Sequence, residues 1–261
     1  MNKFSDTITG CPLYVKEVEI DAKALIKGIK DNEDDEYLLD IPVIKQLMKE
    51  PIRFNSRVTF LVGENGVGKS TIIEGIAGAL GFNPEGGDKN TLFSTNDTHS
   101  ILQNYMRISR SGSVCKDGYF LRAESFYNTA SYLESVDAKR YGGMLHKQSH
   151  GESFLALLSN RLVGNGLYIF DEPEAALSPS RLMTLMCYMH ELERENSQFI
   201  ISTHSPILMS YPDAEIFELS DKGINRINYK DSEHYRITKD FIDKPEVMFK
   251  HLFAEDGVDS K

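Results

Sequence analysis

The 261-residue sequence has little cysteine: Cys11, Cys115 and Cys187 are widely separated, odd in number and without C-x-x-C spacing. No disulfide or cysteine–metal framework is expected, and a reducing cytoplasm is the natural compartment. Cys187 falls in an apolar helical pattern and is expected in the core. The sequence has no apolar run near the ~18–20 residues that cross a bilayer. Met1–Asp6 lacks the apolar stretch of a signal peptide. The expectation is a cytoplasmic protein with no membrane insertion. Basic charge is also in deficit, with 29 Lys and Arg against 39 Asp and Glu and a net charge of −10. That excludes a generally basic nucleic-acid binder, though not a local basic groove. Part of the acid lies in one run, Asp31–Glu36, read as a solvated surface loop. Internal repeats and low-complexity stretches are missing too.

What is present suits a globular chain: 41% hydrophobic and 26% charged residues, enough for a full core. Strand-like runs fall at Tyr14–Ile20, Arg57–Val62, Tyr119–Ala123, Leu167–Phe170 and Gln198–Thr203. Ile216–Leu219 and Ile224–Asn228 read as a terminal hairpin. Helical patterns cover Asp40–Lys49, Thr71–Leu80, Thr129–Lys139, Ser153–Leu162 and Pro179–Glu195, with two short ones at Lys239–Ile242 and Pro245–Phe253. Gly81–Ser100 is rich in turn residues and reads as a long loop. Strands alternating with helices predict an α/β fold with a mostly parallel sheet.

The strongest signal is Gly63-Glu64-Asn65-Gly66-Val67-Gly68-Lys69-Ser70-Thr71, which fits G-x-x-x-x-G-K-[ST], the Walker A phosphate loop. It stands between strand-like RVTFLV and helix-like TIIEGIAGAL, the context such a loop requires. Glycines let the backbone curl until successive N–H groups aim at phosphate oxygens. The helix that follows adds the positive end of its dipole. Lys69 offers a point charge to the β- and γ-phosphates. The Ser70 hydroxyl suits Mg²⁺, which prefers oxygen donors. Thr71 is expected at the α-phosphate. ATP and Mg²⁺ are the expected cofactors.

Leu167-Tyr168-Ile169-Phe170-Asp171-Glu172 is a buried strand that delivers two acids at its carboxyl end. Ligands of open parallel sheets bind there. This fits a Walker B strand, with Asp171 holding Mg²⁺ and Glu172 handling the attacking water.

Further motifs resemble one family, the ABC-class ATPases. Gln148-Ser149-His150-Gly151-Glu152 resembles a divergent L-S-G-G-[QE] signature; Ser149, Gly151 and Glu152 match, while Gln148 and His150 depart. Taken alone, Ser149 and Glu152 also make an ordinary capping box. Glu174–Pro179 resembles the D-loop, with Ser178 where transporters have aspartate. Ser202-Thr203-His204-Ser205-Pro206 resembles the switch-histidine segment. The motif order is that of the family, over about residues 57–210. The resemblance implies a P-loop NTPase with an ABC-type core and His204 acting beside Glu172. It also implies a head-to-tail homodimer, in which the signature of one subunit meets the γ-phosphate held by the other. GYFLRAESF lies where the family places a Mg²⁺-ligating glutamine; here the candidates are Arg122 and Glu124, with Glu124 able to offer an oxygen to the metal.

Two branches of the class compete. DEPEAALSP, FLRAESF and THSPILMSYP resemble small stand-alone soluble ATPases of the SMC, RecF or OLD-like (AAA family ATPase) branch. The alternative is the ATP-binding subunit of an ABC membrane transporter. The stretch from Lys69 to Ser149 has room for a small lobe but not for a long coiled coil. About 50 residues follow the histidine motif, too few for a nuclease domain. The expectation is one ABC-type ATPase domain over 1–261, with an inserted helical and signature lobe at about 85–160. It would hydrolyse MgATP as a transient homodimer and act on a partner protein, a nuclease or other effector, or on DNA, in repair or defence.

Overall fold

Two sheets organise the chain, and a glutamine side chain stitches them together. The computed structural model describes residues 13–31, 33–88, 101–124 and 150–253. The strands in chain order are β1 (Val15–Ile20), β2 (Ile52–Arg53), β3 (Val58–Val62), β4 (Met106–Arg110), β5 (Asp117–Arg122), β6 (Gly166–Asp171), β7 (Gln198–Ser202), β8 (Glu215–Ser220) and β9 (Gly223–Ile227). The helices are α1 (Ala22–Asp31), α2 (Pro42–Leu47), α3 (Lys69–Ala79), α4 (His150–Arg161), α5 (Pro179–Arg194), α6 (Pro206–Met209), α7 (Glu233–Asp243) and α8 (Pro245–Leu252).

The larger sheet has the order β5-β6-β7-β3-β8-β9. All its pairings are parallel except the β8–β9 hairpin. Every residue of β3, β6 and β7 is buried, which explains their unbroken apolar reading. Alternate side chains then divide between two cores. Leu61, Ile169 and Ile200 meet Ile72, Ile73 and Ile76 of α3 on one face. Phe60, Phe170 and Phe199 meet Leu158 of α4 and Leu185 and Met189 of α5 on the other. The sheet is therefore a middle layer covered on both sides.

The smaller sheet, β2-β1-β4, is antiparallel and was not foreseen in the sequence. β4 (MRISR) carries two arginines in five residues and has no clean alternation, so periodicity misses it. The described part of the expected 85–160 lobe before α4 holds a short 3₁₀ helix, Ile101–Asn104, and two strands: β4 joins the small sheet and β5 forms an edge of the large one. The predicted helix Thr129–Lys139 lies outside the described residues. Cys187 corrects a second expectation. It is exposed on α5, whose inner face is Leu182, Leu185 and Met189. The acidic run leads into a 3₁₀ segment, Glu33–Asp40, rather than a loop.

Beyond the hairpin, α7 and α8 have no buried residue. They expose Ile237, Ile242, Val247, Leu252 and Phe253, while Phe241 and Phe249 pack edge to face at 5.5 Å. Among the described residues no helix is long and apolar enough to cross a membrane.

The stitch is Gln198, fully buried at the start of β7. Its Nε2 donates to the Val15 carbonyl at 2.9 Å, and its Oε1 accepts from the Val15 N–H at 2.9 Å. A primary amide satisfies both groups of one peptide position across two sheets. Gln198→Ala leaves both buried groups unpaired, each at about 1–3 kcal/mol. We expect a loss of about 3 kcal/mol in denaturant unfolding, as a lower midpoint at unchanged slope.

Candidate functional site

The strand order brings β6, β7 and β3 side by side. Their carboxyl ends carry Asp171–Glu172, Thr203–His204 and Gly63–Thr71, so residues far apart in sequence leave one edge together. α3 springs from that edge directly behind the glycine loop.

The loop needs its glycines. Gly63, Gly66 and Gly68 have φ of 145°, 84° and 100°, where an L side chain is strained. A Cβ on Gly63 would stand 2.1 Å from the Leu219 carbonyl oxygen, and one on Gly68 would stand 2.9 Å from Ile41 Cγ2. Gly68 is the N-cap of α3, with no side chain capping it, so the N–H groups of the first turn face an incoming anion. Val67 packs on the core below. Lys69 is 4% exposed, and its Nζ donates to the Glu64 carbonyl at 2.9 Å, inside the loop. Burial pulls its pKa down, while Glu172, Asp171, Glu174 and Glu64 pull it up.

Asp171 is buried at the end of β6. Its Oδ1 accepts a hydrogen bond from Ser202 Oγ and another from Ser70 Oγ at 3.4 Å. Burial raises its pKa; Ser202, Arg122 and Ser70 act against that rise. Ser70 and Asp171 thus place two hard oxygens at one corner. Mg²⁺ fits such a corner, because it takes one or two protein oxygens and fills its octahedron with phosphate and water.

Arg122 ends β5 beside this corner. Its Nη2 lies 3.0 Å from Glu74 of α3 and 2.9 Å from Glu124, and its Nε lies 3.9 Å from Asp171 Oδ2. Glu124, expected as a metal ligand, is 81% exposed and turned to Arg122. Its pairing does not bring it to Ser70 or Asp171. Arg122 thus pairs with Glu74 as well as with Glu124. The partner Glu74 was invisible in the sequence because α3 supplies it from the far side of the phosphate loop.

Glu172 has φ 48° and ψ 53°, a left-handed conformation that costs a non-glycine residue about 1–3 kcal/mol. Its N–H is held by the Ser202 carbonyl at 3.1 Å and Ser202 Oγ at 3.2 Å. Its Oε1 reaches 3.2 Å from His204 Nε2. Glu174 is largely buried, and its Oε1 accepts the His204 backbone N–H. His204 Nδ1 lies 2.9 Å from His234 Nε2 on α7. Burial and the charge of Lys69 lower the pKa of His204 despite Glu172, so the ring is neutral at pH 7. His234 follows the last motif, and nothing in the sequence marked it.

The signature residues are less fully placed. Ser149 lies outside the described residues, and Gly151 and Glu152 are in the first turn of α4. The other end of α4 is anchored where β5 begins, with Arg161 on Asp117 at 2.7 Å and on Asp88 at 2.9 Å. A helix of 12 residues spans about 18 Å, so α4 starts toward the carboxyl edge of the sheet. Among the described residues no group of three or more His, Cys, Asp or Glu forms a metal cage, so the Ser70–Asp171 corner is the candidate cation position.

Residues 43–147 match a family profile described as "AAA domain". Residues 153–210 match one described as "AAA domain, putative AbiEii toxin, Type IV TA system". No curated protein matches the chain. Among solved structures it is similar to cbiO1 from Clostridium perfringens, part of the ABC transporter complex cbiONQ: 17% identity, 79% of this chain and 91% of that one, TM-score 0.45. It is also similar to the SMC head domain from Thermotoga maritima, at 17% identity, 69% and 92% coverage and TM-score 0.41. A bacterial ABC transporter cassette in dimeric form gives 14% identity, 69% and 88% coverage and TM-score 0.40.

Burial of Glu174 has a measurable consequence. Its folded pKa lies above the unfolded value of 4.5. The folded state therefore binds more protons as pH rises from about 4.5 through the folded pKa, and stability falls across that window. Glu174→Gln keeps an oxygen for the His204 N–H and removes the charge. Relative to wild type it should gain stability at pH 7 and lose that gain below pH 4.5, as followed by urea unfolding at a series of pH values.

Proposed function

We propose that the chain is an ABC-class P-loop ATPase that hydrolyses MgATP as an ATP-dependent homodimer working on a partner protein or on DNA. The observation that carries this reading is the convergence of Lys69, the Ser70–Asp171 corner and the Glu172–His204 pair on one sheet edge. ATP would lay its phosphates along the glycine loop, with Lys69 moving from the Glu64 carbonyl to the β- and γ-oxygens. Ser70 and Asp171 would hold Mg²⁺, which supplies charge neutralisation at the phosphates. Glu172 would orient a water in line with the γ-phosphorus and take its proton. The new P–O bond forms as the bond to the ADP oxygen breaks, giving ADP and phosphate. His204, neutral and beside Glu172, would keep that carboxylate aimed.

Gly151 and Glu152 sit at the start of α4, a helix end suited to a phosphate oxygen. A second copy would bring that end across the nucleotide, and ATP would be the glue between copies. Hydrolysis would then reopen the pair. The net charge of −10 favours a protein partner over direct DNA contact.

Lys69→Ala should weaken ATP at least tenfold in equilibrium binding; unchanged affinity would remove the phosphate-loop assignment. Glu172→Gln should abolish turnover yet keep ATP, and light scattering with saturating MgATP should show a dimer. A persistent monomer would refute the dimer. Cell extracts passed over this trapped form should yield DNA or a soluble effector, whereas recovery of transmembrane subunits would establish the transporter alternative.

A further inference from the structure

His204 has a neighbour at each ring nitrogen, and only the Nδ1 side makes a hydrogen bond. Its Nε2 lies 3.2 Å from Glu172 Oε1, and its Nδ1 lies 2.9 Å from His234 Nε2. The charged and titratable groups around it are Lys69 from α3, Glu172 and Glu174 after β6, and His234 from α7. His204 Nε2 is a buried ring atom with no hydrogen-bond partner among the described residues, and a carboxylate oxygen 3.2 Å away favours a proton there over a lone pair. A neutral imidazole carries a single N–H. Nδ1 is then a lone pair, and the short contact requires a donor on the other ring.

We propose that His234 is a positioning residue for the hydrolytic site: its Nε2–H donates to His204 Nδ1 and fixes the tautomer in which His204 turns Nε2–H toward Glu172. The opposite tautomer would aim a lone pair at the carboxylate. The inference deepens the ATPase reading above and rests on it.

The placement of His234 is built into the fold. Ser232 is fully buried, and its hydroxyl caps α7 by accepting from the Tyr235 N–H at 3.3 Å. Its Oγ also donates to the Tyr229 carbonyl at 2.8 Å. The Tyr229 and Tyr235 rings pack at 4.6 Å. The first turn of α7 is therefore pinned directly behind His204, although the rest of the helix is exposed. The two imidazole rings stand 5.1 Å apart and tilted by 53°, an edge-on approach that suits an N–H to nitrogen bond.

Two variants test this. His234→Ala removes the donor; His234→Gln replaces it with an amide N–H at similar reach. Side-chain ¹⁵N NMR of the nucleotide-free protein, assigned with His204→Gln, reads the His204 tautomer without any turnover. Wild type should show the Nε2–H form. His234→Ala should mix the two tautomers and lower kcat about tenfold, with KM for ATP and Tm nearly unchanged. His234→Gln should restore both the tautomer and kcat to within about threefold. The proposal is overturned by an Nδ1–H tautomer in wild type, by an unaltered tautomer in His234→Ala, or by a glutamine variant as impaired as the alanine one. Should wild type itself fail to hydrolyse ATP, the ATPase reading falls, while the tautomer shift still decides the role of His234.

Discussion

Asp171 and Lys69 are both nearly buried at the end of an apolar sheet, and each carries a charge that burial opposes. Neither could be held there alone. An isolated ion in such surroundings neutralises instead. What keeps the pair in place is a ring of polar groups: Ser70, Ser202, Arg122, Glu172 and the Glu64 carbonyl. The sheet positions that ring, since adjacent β6, β7 and β3 all end at the same edge. The left-handed Glu172 follows from the same constraint. The chain must turn sharply after Asp171, and Ser202 holds its N–H while it does so. An edge that concentrates partly satisfied charge in this way is poised for a ligand carrying opposite charges of its own.

Much of this was legible in the sequence because the loop and the carboxyl-end acids are local patterns. G-x-x-x-x-G-K-S-T encodes its own geometry, and LYIFDE encodes both burial and the place where it stops. The long apolar strands and the terminal hairpin were equally plain. The small antiparallel sheet was not, because β1 pairs with β4 over more than 80 positions and β4 is polar on most of its length. Its attachment by Gln198 left no trace in hydrophobic pattern, since one glutamine in QFIIS looks like a strand-edge polar residue. Cys187 misled for a related reason. The apolar stripe of α5 is narrower than the apolar content of its sequence suggests.

Within the site, the legible residues are those whose partners lie within one motif. The illegible ones act through contacts between elements. Ser202 braces both Asp171 and Glu172, yet in sequence it is only the first residue of the histidine segment. Glu74 reaches Arg122 from one turn into α3. His234 lies 30 positions beyond His204, on a helix whose remaining surface is exposed. Such couplings depend on the sheet order, which no local pattern states.

Arg122 stands beside the Ser70–Asp171 corner, and its surroundings explain how a cation can be tolerated there. A guanidinium stays charged at every relevant pH. At 3.9 Å from Asp171 it offsets part of the cost of burying that carboxylate when no metal is present. Mg²⁺ arriving at Asp171 would repel it. Glu74, half-buried and with its own pKa raised by burial, holds the arginine at 3.0 Å and gives its charge a second home. Glu124 does the same from the solvent side. Each acid therefore lowers the cost of moving positive charge away from Asp171 as the metal takes its place. Were Mg²⁺ to bind at this corner, an arginine flanked by two acids would yield to it electrostatically, and Asp171 would stay compensated in both states.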